Sequence, residues 1–128
     1  MVIAVSADRI GPNPLVGSDF GKSGWFVLFG PNDEILETVE NPYADSLGDG
    51  GIQSAQMLIG RNVDVVITGG IGRNALMILS GAKVKICRSP GRNVAEAVAL
   101  FLEGRLEAIG SARDAEGKRR RKRRGRYN

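Results

Sequence analysis

The chain has 128 residues, 42% of them hydrophobic and 25% charged, with one cysteine, no histidine and a net charge of +4. That length holds one domain with a core and not two of ordinary size, and no apolar run approaches the roughly 20 residues of a membrane span, so a soluble chain is expected. A single thiol excludes an internal disulfide, a Cys-x-x-Cys pair and a four-thiolate metal site, and the absence of imidazole argues against conventional hydrolysis by removing the commonest general base and every Ser-His or Cys-His pair.

The first element predicted is a strand over VIAVSA, Val2 to Ala7, bounded by the turn chemistry of DRIGPNP. No basic segment precedes it and no cleavage pattern follows, so it reads as a strand and not as a leader, and a cytoplasmic protein is expected. A second strand is predicted over Gly24 to Gly30 and a third over Glu34 to Asn41, joined as a hairpin by the turn PND. The third alternates Ile35, Glu37, Val39 and Asn41 against Glu34, Leu36, Thr38 and Glu40. After a loop rich in glycine and aspartate, the spacing of Ile52, Ala55, Gln56 and Ile59 predicts a helix that Gly60 to Asn62 close through a left-handed residue.

From there strand and helix alternate. VDVVITG is a strand, RNALMILSG a helix closed by Gly81, AKVKICRS a strand, and NVAEAVALFLEG a helix that begins after Pro90-Gly91 and ends at Gly104. Two βα units with short glycine loops imply a parallel sheet with right-handed crossovers. The expected fold is α/β, a mixed sheet of about five strands with about three helices, antiparallel at its N-terminal side and occupying residues 1–112.

Residues 113–128 form a basic tail with almost no apolar content, expected to be disordered. Its Lys118, Arg119, Arg120, Arg121, Lys122, Arg123, Arg124 and Arg126 are eight of the 18 basic residues; ten basic and 14 acidic residues precede them, which leaves that part at −4. A run of this kind binds polyphosphate chains through counterion release, so a nucleic-acid-associated module anchored by the tail is the alternative function, beside an acidic partner protein or a merely solvated extension. Tyr127 is the tail's only aromatic residue, which gives little for base stacking.

Between the fourth strand and its helix stands TGGIGRNAL, Thr68 to Leu76, in which Gly70 to Ala75 satisfy the dinucleotide fingerprint G-x-G-x-x-A. That fingerprint belongs after a first strand, with a carboxylate about 20 residues on. Here it follows the fourth strand, and Arg88 and Arg92 stand where the acid should be, so no nucleotide is expected. The glycines then either serve packing alone or shape an anion-accepting edge, where helix N-termini and backbone amides meet Arg73, Arg88 and Lys22. A nuclease site beginning at Asp8 lacks converging acids, because Asp64 starts its strand at the opposite edge. Trp25 and Phe26 are candidates for a pocket wall and, more simply, for the core.

The order MVIAV, GSDFGKSGWFVLF, ENP, GGIQSAQMLIGRNVDVVITGGIGRNALMIL, GAKVKI and VAEAVALFLEGRLE resembles the dinitrogenase iron-molybdenum cofactor biosynthesis family over about residues 1–108. The resemblance implies a ribonuclease-H-like fold and non-catalytic binding or carrying of a molybdenum/iron-sulfur cluster or its precursor, with a cluster donor or acceptor protein as partner and no membrane. It points to Ser18, Asp19, Phe20, Gly21, Gly69, Gly70, Gly72, Arg73 and Arg88 as cofactor-binding residues, and to Cys87 and Asp19 as metal ligands. The chain departs from the family pattern at two places where histidine is common: Asp19-Phe20-Gly21 stands for a His-Phe-Gly segment, and SLGDGG lacks the second imidazole. Asp19 is a hard oxygen ligand, and a single cysteine in an apolar strand such as Cys87, the one soft ligand, is more often a buried filler.

Overall fold

The computed structural model describes residues 1–89 and 91–110. These build one mixed sheet of six strands with three helices: β1 (Ile3–Ala7), β2 (Trp25–Phe29), β3 (Ile35–Glu40), α1 (Gly50–Gly60), β4 (Val65–Thr68), α2 (Arg73–Gly81), β5 (Lys85–Arg88), α3 (Val94–Leu102) and β6 (Glu107–Ile109). The strand order is β3-β2-β1-β4-β5-β6. β1 lies parallel to β4 and β4 to β5, while the β1-β2, β2-β3 and β5-β6 pairs are antiparallel. The antiparallel N-terminal side and the parallel β4-β5 pair agree with the expectation, but the expected parallel C-terminal part ends in β6, which runs antiparallel to β5. No helix among the described residues is long and apolar enough to cross a membrane.

Strands covered on both faces bury every residue, so β1 and β4 are mostly apolar, with Ser6 and Thr68 as buried hydroxyls near their ends. Ala4, Phe26, Leu28, Val66 and Ile86 pack on one face with Ala55 and Leu58 of α1 and Leu76 and Leu79 of α2. Ile3, Val5, Val27, Phe29, Ile67 and Cys87 pack on the other with Val94, Ala97 and Val98 of α3. β3 is an outer strand, and of its six residues only Val39 is buried.

Four local expectations are corrected. The sheet has a sixth strand, because β6 pairs with the free edge of β5 through three residues too few to show a period. The buried stripe of α1 runs through Gly50, Gly51, Ser54, Ala55 and Leu58, with Gln56 exposed. Small residues let this helix lie close to its neighbours, a preference that apolar spacing does not carry. Gly81 is the last residue of α2 and not its cap: the chain reverses at Lys83 (φ 64°), where Val84 N–H donates to Leu79 O at 2.9 Å. Asn41 leaves the strand pattern altogether and is buried in the loop that follows. The left-handed residues at Asn62 (φ 60°) and Gly104 (φ 73°) stand where the sequence places them.

The topology brings the loops together. Since β1, β4 and β5 point one way and β2 the other, Ala7, Thr68, Arg88, the start of β2 and the end of β3 share one edge of the sheet. The 69–72 turn and the loops 17–24 and 41–49 therefore meet there.

Candidate functional site

The edge is held together by buried hydroxyls. Ser6 Oγ donates to Thr68 Oγ1 at 2.8 Å, and Thr68 Oγ1 donates to Gly70 O at 3.2 Å, so the ends of β1 and β4 fix the start of the glycine turn. Gly69 N–H donates to Gly17 O at 2.9 Å and Phe20 N–H to Gly70 O at 2.8 Å, which lays the 17–20 segment against the turn. A Cβ on Gly69 would stand 2.8 Å from Gly17 O and 2.9 Å from Ser18 Cα; here glycine is required by the approach of two backbones. Phe20 anchors this segment in the core, fully buried with its ring 5.2 Å from that of Phe26. Its role is packing, whereas the adjacent Ser18 and Asp19 are exposed.

Asp19 Oδ1 accepts from Gly21 N–H at 3.0 Å and from Lys22 N–H at 3.3 Å, so this carboxylate shapes the turn that carries it. Asn41, 4% exposed, is the hub that sequence reasoning missed. Its Nδ2 donates to Ser23 O at 2.8 Å, while its Oδ1 accepts from Ser54 Oγ at 3.0 Å and from Tyr43 N–H at 3.1 Å. It thereby ties the 17–24 loop, the 41–49 loop and α1 together. Asp49 caps α1 by accepting from Gly51 N–H at 3.1 Å and latches it to α2 by accepting from Asn74 Nδ2 at 3.1 Å.

These loops enclose a cleft of about 120 Å³ walled by Asp19, Lys22, Tyr43, Ser46, Asp49 and Gly72, with glycine backbone between them. Asp19, Gly21, Lys22 and Gly72 are the sequence-predicted residues that the structure brings to it. Tyr43, Ser46 and Asp49 are additions made by the fold; the run of glycine and aspartate before α1 is their only signal in the sequence. A larger groove of about 200 Å³ lies on the α3 face, around Arg9, Ile10, Phe29, Ile35 and Val94, and holds none of the predicted residues. Among the described residues, no three or more of His, Cys, Asp and Glu gather as a metal-ligand set.

Gly72 is the N-cap of α2, with φ −74°, ψ 160° and no side-chain capping bond, and a Cβ there would meet no atom of the described residues within 4 Å. Arg73 follows on the exposed side. Arg88 registers beside Thr68, and strand alternation places it on the face that α2 covers. It is half-buried, and its Nε is shielded from solvent with no hydrogen-bond partner among the described residues. The Oγ of Ser89, 2% exposed, likewise has no partner among the described residues.

Cys87 is 1% exposed and packs in the α3-side core, on the face of the sheet opposite α2. Burial pushes its thiol above the usual 9.0, with Lys85 pulling weakly the other way. The expected soft ligand is thus corrected to a core filler: a protonated thiol on the far side of the sheet does not reach the cleft. Trp25 and Phe26 belong to the two cores. Asp8 Oδ1 accepts from Leu15 N–H at 3.1 Å and Asp64 Oδ2 from Val2 N–H at 2.9 Å, at opposite ends of β1. Residues 113–128, with the candidate nucleic-acid cations, lie outside the described residues.

A family model described as dinitrogenase iron-molybdenum cofactor matches residues 1–104. The apo form of the orange protein from Desulfovibrio gigas is 30% identical with a TM-score of 0.79, over 86% of this chain and 93% of that one. A NifB-like protein from Thermotoga is 32% identical with a TM-score of 0.74, over 86% and 94%. A dinitrogenase-like protein from Methanocaldococcus jannaschii, 21% identical with a TM-score of 0.63 over 87% and 96%, shares the fold. No curated protein matches the chain.

Proposed function

Because the chain belongs to the dinitrogenase iron-molybdenum cofactor family, we propose that it binds or carries, without catalysing a reaction, a metal-sulfur cluster of the iron-molybdenum kind or a precursor of one. The place is the edge where the 17–24 and 41–49 loops meet the start of α2. A cargo of this kind brings its own sulfides and a net negative charge, and both accept hydrogen bonds. The edge offers backbone amides, the positive end of the α2 dipole and the cations of Lys22, Arg73 and Arg88. What carries the reading is the open start of α2: Gly72 leaves the first turn of the helix without a side-chain cap, beside a cleft built of backbone.

Coordination through protein atoms is secondary here. Asp19 already uses Oδ1 to hold its own loop, and its hard oxygen suits a sulfur-rich metal poorly. Without imidazole and with Cys87 buried, the chain holds the cargo from outside its sulfide shell, which suits transfer between a donor and an acceptor protein. The test is anaerobic titration of the full chain with tetrathiomolybdate and with a preformed molybdenum-iron-sulfur species, followed by absorption spectra and metal analysis after gel filtration. Retention of about one equivalent, preserved in Cys87→Ser, is expected; passage of all the metal through the column unbound would overturn the reading.

A further inference from the structure

The β2-β3 hairpin is covered on one face and open on the other. On the α1 side, Phe26, Leu28 and Val39 pack with Ala55 and Leu58 of that helix. On the opposite side the groove of about 200 Å³ opens over the hairpin, lined by Val27, Phe29, Ile35 and Thr38 and bordered by the 9–14 loop and the first turn of α3. β3 is also the last strand of the sheet, so the outer side of its backbone ladder faces no strand among the described residues. Such an edge is a template for another strand and is commonly guarded by lysine. This one carries no lysine, and its Ile35 and Leu36 are 65% and 54% exposed. Ile35 belongs to the edge and to the groove alike, so the open ladder and the apolar lining form one continuous surface.

Charge decides what fits this surface. Asp33, Glu34, Glu37 and Glu40 stand in a segment, 33–40, that holds no lysine or arginine. Arg61 pairs with Glu37, and Asp33, Glu34 and Glu40 form no ion pair among the described residues. A second copy pairing edge to edge would bring the same carboxylates against these, and like charges across a strand pair are destabilising. The chain's own cations at 118–126 are lysines and arginines around one glycine, and they bring nothing apolar to the groove. The register of β3 sets the pattern of the occupant. Ile35 and Thr38 share the groove face with Phe29 and Val27, whereas Glu37 shares the other face with Leu28. A strand added outside β3 therefore turns alternate side chains toward the groove and toward Glu37.

We propose that the outer edge of β3 is a docking surface for an extended peptide of a partner protein, in which cationic and apolar residues alternate. Main-chain pairing with β3 supplies the affinity, and the groove and the carboxylates supply the selection. This goes beyond the cargo reading, since the surface needs neither sulfide nor a cluster.

The test is titration of the isotopically labelled full chain with a capped peptide of four Lys-Val repeats, followed by amide shifts and amide hydrogen exchange. Saturable shifts at residues 35–40 with slowed exchange in β3 are expected, at one peptide per chain. Affinity should fall at least about tenfold in the double variant Glu37→Lys/Glu40→Lys and also in Ile35→Ser, and should hold in Glu103→Lys at the end of α3. Four Lys-Pro repeats carry the same charge without an N–H at every second position and should bind at least about tenfold more weakly. Equal binding of the two peptides would reduce the contact to bulk charge and overturn the proposal, as would undiminished binding in the double variant or no saturable binding at all. Binding that emerges only when the cations at 118–126 are replaced by glutamine would make the chain's own tail the occupant. Shifts at 35–40 that follow chain concentration without peptide would make it a second copy, and either result overturns the proposal. Tetrathiomolybdate retention is scored separately, so the cargo reading stands or falls on its own.

Discussion

A methyl group at Gly69 has no free space to occupy. Its Cβ would lie 2.8 Å from Gly17 O and 2.9 Å from Ser18 Cα. Both are backbone atoms, held in place by the 2.9 Å hydrogen bond from Gly69 N–H to Gly17 O. Relief requires the 17–20 segment to move off the glycine turn, and overpacking of this kind costs about 1 to 3 kcal/mol. For a domain of about 100 residues that corresponds to a melting temperature lower by roughly 5 to 20 °C. Gly72→Ala, three residues on, is the internal control. No atom of the described residues lies within 4 Å of its Cβ, and φ is −74°. The small loss of N-cap preference is there offset by a stiffer unfolded chain, leaving a net change within about 1 kcal/mol. Thermal and urea unfolding followed by circular dichroism and by Trp25 fluorescence measure both variants. Equal losses, or no loss in Gly69→Ala, would refute the close-approach argument.

Cys87→Ser places a hydroxyl among apolar side chains and should cost about 1 to 3 kcal/mol, read from urea midpoints. In the native protein that thiol keeps its proton to higher pH than in the unfolded chain, so its contribution to stability is complete below 9.0 and declines as pH rises beyond it. A thiol reagent at pH 8 should label it only under denaturant. Asn41→Ala removes the donor to the Ser23 carbonyl and the acceptor of Tyr43 N–H, while Ser54 Oγ keeps its bond to Gly50 O, and should cost about 1 to 3 kcal/mol. Faster amide exchange in the 42–49 loop is the local readout. The Arg61–Glu37 pair, 2.8 Å apart with both side chains well exposed, is a surface ion pair, and Glu37→Gln should change stability by less than about 1 kcal/mol.

What the sequence reveals follows from how far each interaction reaches along the chain. α2 is bounded correctly because its signals, a glycine turn and nine residues with a clear apolar face, are local. β1 and β4 announce themselves by mostly apolar residues, whereas β5 reads Lys-Ile-Cys-Arg with Lys85 exposed. Alternation sets Cys87 on the same side as that lysine, and only the fold shows that this side is covered by α3 at the thiol. β6 is invisible because its three residues form a strand only by virtue of the free edge of β5. The cleft divides in the same way. Asp19, Gly21 and Gly72 stand out through glycine patterning, while Tyr43, Ser46 and Asp49 reach the site because Asn41 folds their loop across the chain onto Ser23 and Ser54. No local pattern encodes a side chain that bonds 13 and 18 residues away. Arg88 is legible as a charge near the edge, and the shielding of its Nε is a property of the folded molecule alone.

Amide chemical shifts of the isotopically labelled full chain locate the cargo. Under anaerobic titration with tetrathiomolybdate, saturable shifts are expected at residues 17–22, 43–51 and 69–74, with the resonances of α3 and the 30–38 segment unmoved. Shifts confined to other parts of the chain, or none at saturating metal, would contradict that placement.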